Sequence, residues 1–197
     1  MPTPTDPAPP SAIEAIHQRR SVRRYADQPV DKPAMYRLID AAVRAPTEMD
    51  QEPWAFAIVQ EAGVLSRLSN SVKLRARDEA KGKNSASYAH LLRMAEDPEF
   101  HVFHNAGTLV VICGKFQGPF VEADCWLAAE NFMLAACTEG LGTCVIGFAV
   151  EALNTPAWKT ELKTPAEMTV IAPIIVGTPA SEDQQTPRKP PEILYWK

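Results

Sequence analysis

Apolar residues fall at helical spacing in the first quarter of the chain and collect into short uninterrupted runs farther on. Met35, Leu38, Ile39, Ala42 and Val43 lie three and four apart and form one face of a helix. Asp31 supplies its N-cap, Pro33 stands in the first turn where a missing N–H costs nothing, and Pro46 lies just past the point where the pattern stops. Upstream, Ser11-Ala12-Ile13-Glu14 has the S-x-x-E form of a capping box. It predicts a helix that starts at Ser11, turns Ile13 and Ile16 inward and runs into a group of arginines. The runs WAFAIVQ (54–60) and TLVVICG (108–114) predict buried strands, and a further strand is expected near CVIGF (144–148). Residues 167–180, EMTVIAPIIVGTPA, hold another, in which Pro173 removes one ladder donor and predicts an edge or a bulge. Residues 61–96 read as mainly helical, with a solvated basic interruption KLRARDEAKGKN at 73–84.

The segment EADCWLAAENFMLAACTEG (122–140) has almost no polar side, and a helix apolar all round is buried on all sides. One domain of this size cannot easily surround it, so part of its surface is expected at a contact between subunits. Helices and strands alternate without a strict βαβ rhythm, which predicts an α+β fold with a sheet covered by helices. The expected organisation is one domain over residues 11–197 after a loose tail, 1–10, that holds five prolines.

Charge and cysteines narrow the choice of partners. A net charge of −4 and a pI near 5.6 argue against nucleic acid as the main partner. No stretch approaches the roughly 18 apolar residues needed to span a membrane, and the first ten residues lack the basic and apolar regions of a signal peptide. Cys113, Cys125, Cys137 and Cys144 form no C-x-x-C pair and sit in apolar surroundings, as expected of reduced, packed thiols in the cytoplasm.

Against that acidic background, QRRSVRRY (18–25) puts Arg19, Arg20, Arg23 and Arg24 within six positions. Like charges so close repel. Taken alone, the run is either a solvated helix end or a phosphate site; a nucleic-acid patch is disfavoured by the acidic total. Each charge-assisted hydrogen bond to a phosphate is worth about 1.5–3 kcal/mol, and Ser21 adds a hydroxyl donor inside the run.

The next stretch separates these readings. APTEMDQEPWAFAIV (45–59) is a polar loop feeding a strand. In order along the chain stand Arg19-Arg20-Ser21-Val22-Arg23-Arg24-Tyr25, Pro46 to Phe56, Gly140-Leu141-Gly142-Thr143-Cys144, and Arg188-Lys189-Pro190-Pro191-Glu192. This series resembles the nitroreductase family of FMN-dependent oxidoreductases over residues 12–196, nearly the whole chain. The resemblance implies a nitroreductase-like fold: a central, mostly antiparallel sheet flanked by helices, in an intertwined homodimer with FMN sites built from both chains. By the same resemblance, Arg19 and Ser21 contact the phosphate and ribityl chain of a tightly bound, non-covalent FMN, with Arg20 beside them. Arg23 takes the basic position near the N1/O2 edge of the flavin ring, where a cation stabilises the negative charge of the reduced form. Thr47 takes the hydroxyl position that contacts the cofactor from the partner subunit, and Pro46 beside it is counted among the cofactor-binding residues. Cys144, Val145, Ile146 and Gly147 form the loop that passes the ring near N5, and Arg188, with Lys189, supplies a second phosphate cation. Arg24 receives no role and is expected in solvent.

Two positions depart from the family pattern: Asp50 stands for its Asn and Glu52 for its Gln. A carboxylate only accepts hydrogen bonds. Asp50 is therefore expected to accept from the flavin N3–H or a ribityl hydroxyl, and Glu52 to pair with an arginine of the cluster. Asp124, on the apolar helix, is either a polar contact to the ring or a buried structural carboxylate. His17, His90, His101 and His104 make no metal set. Gly140, Gly142 and Gly147 miss the dinucleotide fingerprint, and Gly140 doubles as a helix C-cap. No side chain is assigned as acid, base or nucleophile. The implied activity is ping-pong electron transfer from NAD(P)H, a transient co-substrate, through FMN to nitroaromatic, quinone or related small acceptors. The alternatives are a flavin-binding or redox-sensing protein of low turnover, or a same-fold dehalogenase, enone reductase or flavin-fragmenting enzyme. A cofactor-free basic module is the remaining rival. Segment 66–103 is expected to cover the pocket.

Overall fold

The computed structural model describes residues 9–26, 28–80, 86–181 and 187–197. In chain order the elements are α1 (Ala12–Gln18), α2 (Lys32–Ala42), β1 (Trp54–Val59), α3 (Ala62–Ala80), α4 (Ala86–Glu96), β2 (Thr108–Gly114), α5 (Val121–Thr138), β3 (Gly142–Val145), α6 (Val150–Leu153), α7 (Pro156–Glu161) and β4 (Thr169–Gly177). The strands form one antiparallel sheet in the order β1-β2-β4-β3. Period-two alternation gives the central strands two apolar faces. Val110, Ile112 and Ile174 pack under α2 and α5 with Leu38 and Phe132. Leu109, Val111 and Ile175 pack on the opposite face with Leu68, Phe103 and Leu153. This is the α+β architecture expected, with helices on both sides of the sheet.

Local signals set most element ends. The capping box at Ser11 is complete: Ser11 Oγ accepts from the Glu14 N–H at 3.3 Å, and the Ser11 N–H donates to Glu14 Oε2 at 2.7 Å. Asp31 accepts from the Ala34 N–H at 2.7 Å as the N-cap of α2. Gly140, at φ +71°, ends α5 in the left-handed conformation that favours glycine.

Four local expectations are corrected by the packing. Ile13 and Ile16 point outward, 64% and 54% exposed, because seven-residue α1 buries only its Ala15. β1 is not fully buried: it lies at the sheet edge, leaving Ile58 exposed. β4 is central despite Pro173. The missing donor faces the β3 side, where the ladder ends at Val145 and the Pro173 carbonyl accepts from the Ile146 N–H at 2.9 Å. The bulge lies nearby, at Ile171, which the β2–β4 register skips. Finally, α3 runs straight through the first half of the predicted basic interruption. Lys73 is 8% exposed, and its ammonium donates to the carbonyls of Asp97 at 2.7 Å and Phe100 at 2.9 Å. Residues 81–84 of that interruption, like residues 1–8 of the N-terminal tail, lie outside the described residues. No helix among them is long and apolar enough to cross a membrane.

One glycine carries the joint between the N-terminal segment and the sheet. A Cβ on Gly142 would stand 2.6 Å from Val22 Cγ2 and 2.7 Å from Val22 Cβ. Gly142→Ala is therefore expected to lower stability by about 1–3 kcal/mol, as overpacking does, measured by urea unfolding. Val22→Ala in the same background should recover part of the loss.

Candidate functional site

The arginine run is held as an extended strip between β3 and the segment following β4. Arg19 is the C-cap of α1, its N–H donating to the Ala15 carbonyl. The chain then extends. Ser21 bridges to Thr143 in parallel, and the Val22 N–H donates to the Thr143 carbonyl at 2.9 Å. On the other side, the Ala26 N–H donates to the Thr178 carbonyl and the Ala180 N–H to the Arg24 carbonyl, both at 2.9 Å. Tyr25 bridges to Pro179, and its hydroxyl donates to the Val22 carbonyl at 2.6 Å. The motifs at 19–25 and 140–147, more than a hundred residues apart in sequence, are thus neighbours in the sheet.

Beside this strip lies a cavity of about 780 Å³, lined by Arg19, Arg20, Gly142, Thr143, Thr178 and Ser181 among others. Its polar groups are incompletely satisfied. Arg20 Nη1 donates to the carbonyls of His17 at 2.6 Å and Arg19 at 2.7 Å, which leaves its buried Nε without a partner. Ser181 Oγ is likewise buried and unpartnered. Arg19 reaches Glu130 at 3.6 Å, too long for a hydrogen bond. Arg23 makes a weak contact to the Ser21 carbonyl at 3.4 Å. Unmatched donors around a pocket are what an anion would satisfy. Ser181 carries no signal in the sequence, because a single serine after a strand means little until the fold brings it to the cavity wall.

The neighbouring groups are electrostatically quiet. Burial pushes the Cys144 thiol above its ordinary value, with Arg23, the Ser21 hydroxyl and Arg19 pulling the other way. Cys113 is pushed up to about 11 and Cys125 to about 12, both by burial. These thiols stay protonated and form no disulfide, as packing groups rather than nucleophiles. Burial also lowers His104, helped by Arg23, and favours its neutral form. Gly147 opens a single turn of 3-10 helix, and a Cβ there would meet nothing within 4 Å, so the surface at Gly147 itself is open, whereas Cys144 and Ile146 are buried.

The second predicted group, Pro46 to Glu52, lies elsewhere. Met49, Asp50 and Glu52 take φ of 48°, 53° and 45° in a tight turn, with Met49 84% exposed. Thr47 Oγ1 accepts from the Glu52 N–H at 3.4 Å, and the Asp124 carboxylate accepts from the Glu48 N–H at 3.2 Å. In this chain Asp124 is thus occupied by the loop backbone. Glu52 is exposed, and the carboxylate that Arg19 reaches is that of Glu130.

The two groups stand at opposite corners of the sheet. Trp54 aligns through Gly114 with Thr169, at one end of β4, whereas Gly142 aligns with Gly177 at the other. Eight residue steps and three strand gaps separate them, about 26 Å along the strands and about 14 Å across. No single small ligand spans that diagonal within one chain. Arg188 and Lys189 are exposed in the C-terminal segment and do not line the cavity.

Known proteins place this arrangement. The fold matches a nitroreductase crystal structure with bound FMN from Bacteroides fragilis, at TM-score 0.81 and 23% identity, covering 95% of this chain and all of that one. A "putative NADH dehydrogenase/NAD(P)H nitroreductase" of Archaeoglobus fulgidus is 23% identical over 175 residues, 86% of each chain. An "FMN reductase (NADPH)" of Bacillus subtilis is 28% identical over 189 residues, 94% of this chain and 72% of that one. Both groups of site residues, the arginine strip with its β3 partner and the strained loop before β1, fall within residues 16–178, which the Nitroreductase family model matches, and the chain belongs to that family.

Proposed function

We propose that this protein is an NAD(P)H-dependent FMN oxidoreductase that passes electrons to small oxidised acceptors, nitroaromatics and quinones among them. The observation that carries the reading is the cavity beside the arginine strip, with its buried, unpartnered Arg20 Nε and Ser181 Oγ. The residues fit FMN. Arg19, Arg20 and Ser181 would hold the phosphate, with Ser21 beside the ribityl chain and Arg23 at the ring edge. The exposed backbone at Gly147, beside half-buried Val145, would lie against the ring. Bound FMN would supply hydride acceptance and onward electron delivery. The chain's part is to bind, to orient and to leave one face open for NAD(P)H and acceptor in turn.

The corner-to-corner separation supports a homodimer in which Pro46, Thr47, Asp50 and Glu52 serve the site of the other subunit. Trp126 and Leu127 on α5, and Ile193 to Trp196 at the C-terminus, are exposed apolar groups available for that contact. Arg188 and Lys189 do not line the cavity of their own chain, and their assignment to a second phosphate contact rests on the family resemblance alone. The unpaired thiols fit a reducing compartment, the cytoplasm.

The purified protein should be yellow, bleach anaerobically with NADH or NADPH and recover with a nitroaromatic or quinone. Colourless protein that cannot be reconstituted with FMN would sink the reading. Arg19→Ala should weaken FMN binding by about 10- to 100-fold, the loss of one charge-assisted hydrogen bond, read by titration of stripped protein. The shared site has its own test. Arg19→Ala/Arg20→Ala and Asp50→Ala/Glu52→Ala chains, each crippled alone, should regain about a quarter of wild-type activity when refolded together, because each mixed dimer has one intact site. No recovery would exclude sharing. Glu52→Gln removes a negative charge from beside the flavin and should raise its midpoint potential, measured by dye equilibration; an unchanged potential would take Glu52 out of the site.

A further inference from the structure

Asp124 is a carboxylate only 6% exposed in the first turn of α5, and its Oδ2 accepts from the Glu48 N–H at 3.2 Å. Glu48 opens the turn in which Met49, Asp50 and Glu52 are left-handed. L-residues take that conformation at a cost, and it persists where the surroundings over-determine it. At the far end of the turn, Lys115 Nζ donates to the Glu52 carbonyl at 3.0 Å, and the Lys115 N–H donates to the Pro53 carbonyl at 2.7 Å. The turn is therefore tied at its start to α5 and at its end to the residue following β2. One anchor is a buried residue of α5 and the other directly follows β2, whereas the turn itself exposes Met49, Asp50 and Glu52. A buried carboxylate is expensive where an apolar side chain would pack, and the positive end of α5 offsets only part of that cost. What Asp124 provides that a leucine could not is an acceptor for Glu48.

We infer that Asp124 is a positioning residue which, with Lys115, latches the strained turn 47–52 in the shape that reaches the flavin site of the other subunit. The inference rests on the shared-site reading above. Asp124 acts through the Glu48 backbone and has no contact with the reacting atoms. Its position on α5, next to exposed Trp126 and Leu127, ties the turn to the helix proposed to meet the partner.

The test compares Asp124→Ala, Asp124→Asn and Lys115→Met as full-length holoproteins. Asp124→Ala should raise both the Kd for FMN and the KM for a quinone acceptor about tenfold, the scale of one lost hydrogen bond to a charged acceptor. Asp124→Asn keeps an oxygen in the same place and should stay within about twofold of wild type. Lys115→Met removes an exposed side chain, so it should shift KM in the same direction by a smaller factor with Tm unchanged. A folded, FMN-loaded Asp124→Ala with wild-type Kd and KM overturns the latch, and so does an Asp124→Asn as impaired as the alanine variant. If Asp124→Ala does not fold, Lys115→Met decides: wild-type KM overturns the inference, and a raised KM at unchanged Tm supports it. Wild-type protein without FMN defeats the functional reading before any variant is measured, so the two failures are distinguishable.

Discussion

Val22 packed face-on against Gly142 is the contact on which the candidate site depends. With no Cβ at 142, the backbone of the arginine strip comes within hydrogen-bonding distance of β3, and the Val22 N–H meets the Thr143 carbonyl. Two further bonds to the segment after β4 fix the strip from the other side. Once it is pinned, the neighbouring side chains have little choice. Arg19 and Arg20 flank the cavity, while Val22, between them and Arg23, faces the core. The four guanidinium groups are kept close together by the backbone bonds that pin the segment on both sides. Beside the cavity two buried polar atoms, Arg20 Nε and Ser181 Oγ, are left without a partner.

A second constraint is the length of the sheet. Loop 46–52 precedes the edge strand at one corner, and the arginine strip lies beside the opposite edge at the other. The helix between them, α5, carries Asp124 near the loop and leads through Gly140 into β3 beside the strip. This rigid spacing makes a one-chain site impossible for a small cofactor that uses both motifs, and it gives the proposed dimer a chemical purpose beyond burying apolar surface. The strain in the loop belongs to the same picture. Three left-handed non-glycine residues in a row of four are costly, and their tethers to α5 and Lys115 show where the compensation comes from.

Much of this was legible in the sequence, because its signals are local. The Ser11 capping box, the Asp31 cap, the apolar face of α2, the strand runs at 54 and 108 and the stop at Gly140 all follow from backbone preferences that act within a few residues. The likeness to the nitroreductase family was legible for a different reason: its motifs stand in the same order along the chain, whatever their positions in space. Edge or centre was not legible. The run WAFAIV looks buried yet lies at the edge, and Pro173 looks like an edge residue yet lies in the middle, because strand order depends on pairings between distant residues.

The sequence by itself therefore determined the elements, the family and the residue types available for an anion. It could not fix which of those residues share a surface. Tertiary structure turned Ile13 and Ile16 outward, drew Lys73 onto two carbonyls and brought Ser181 to the wall of the cavity. It also gave Asp124 to the loop backbone and set the two halves of the predicted site at opposite corners. Local propensity acts over one turn or one strand. Those outcomes depend on how far apart the finished sheet holds its ends, a distance no short stretch of sequence encodes.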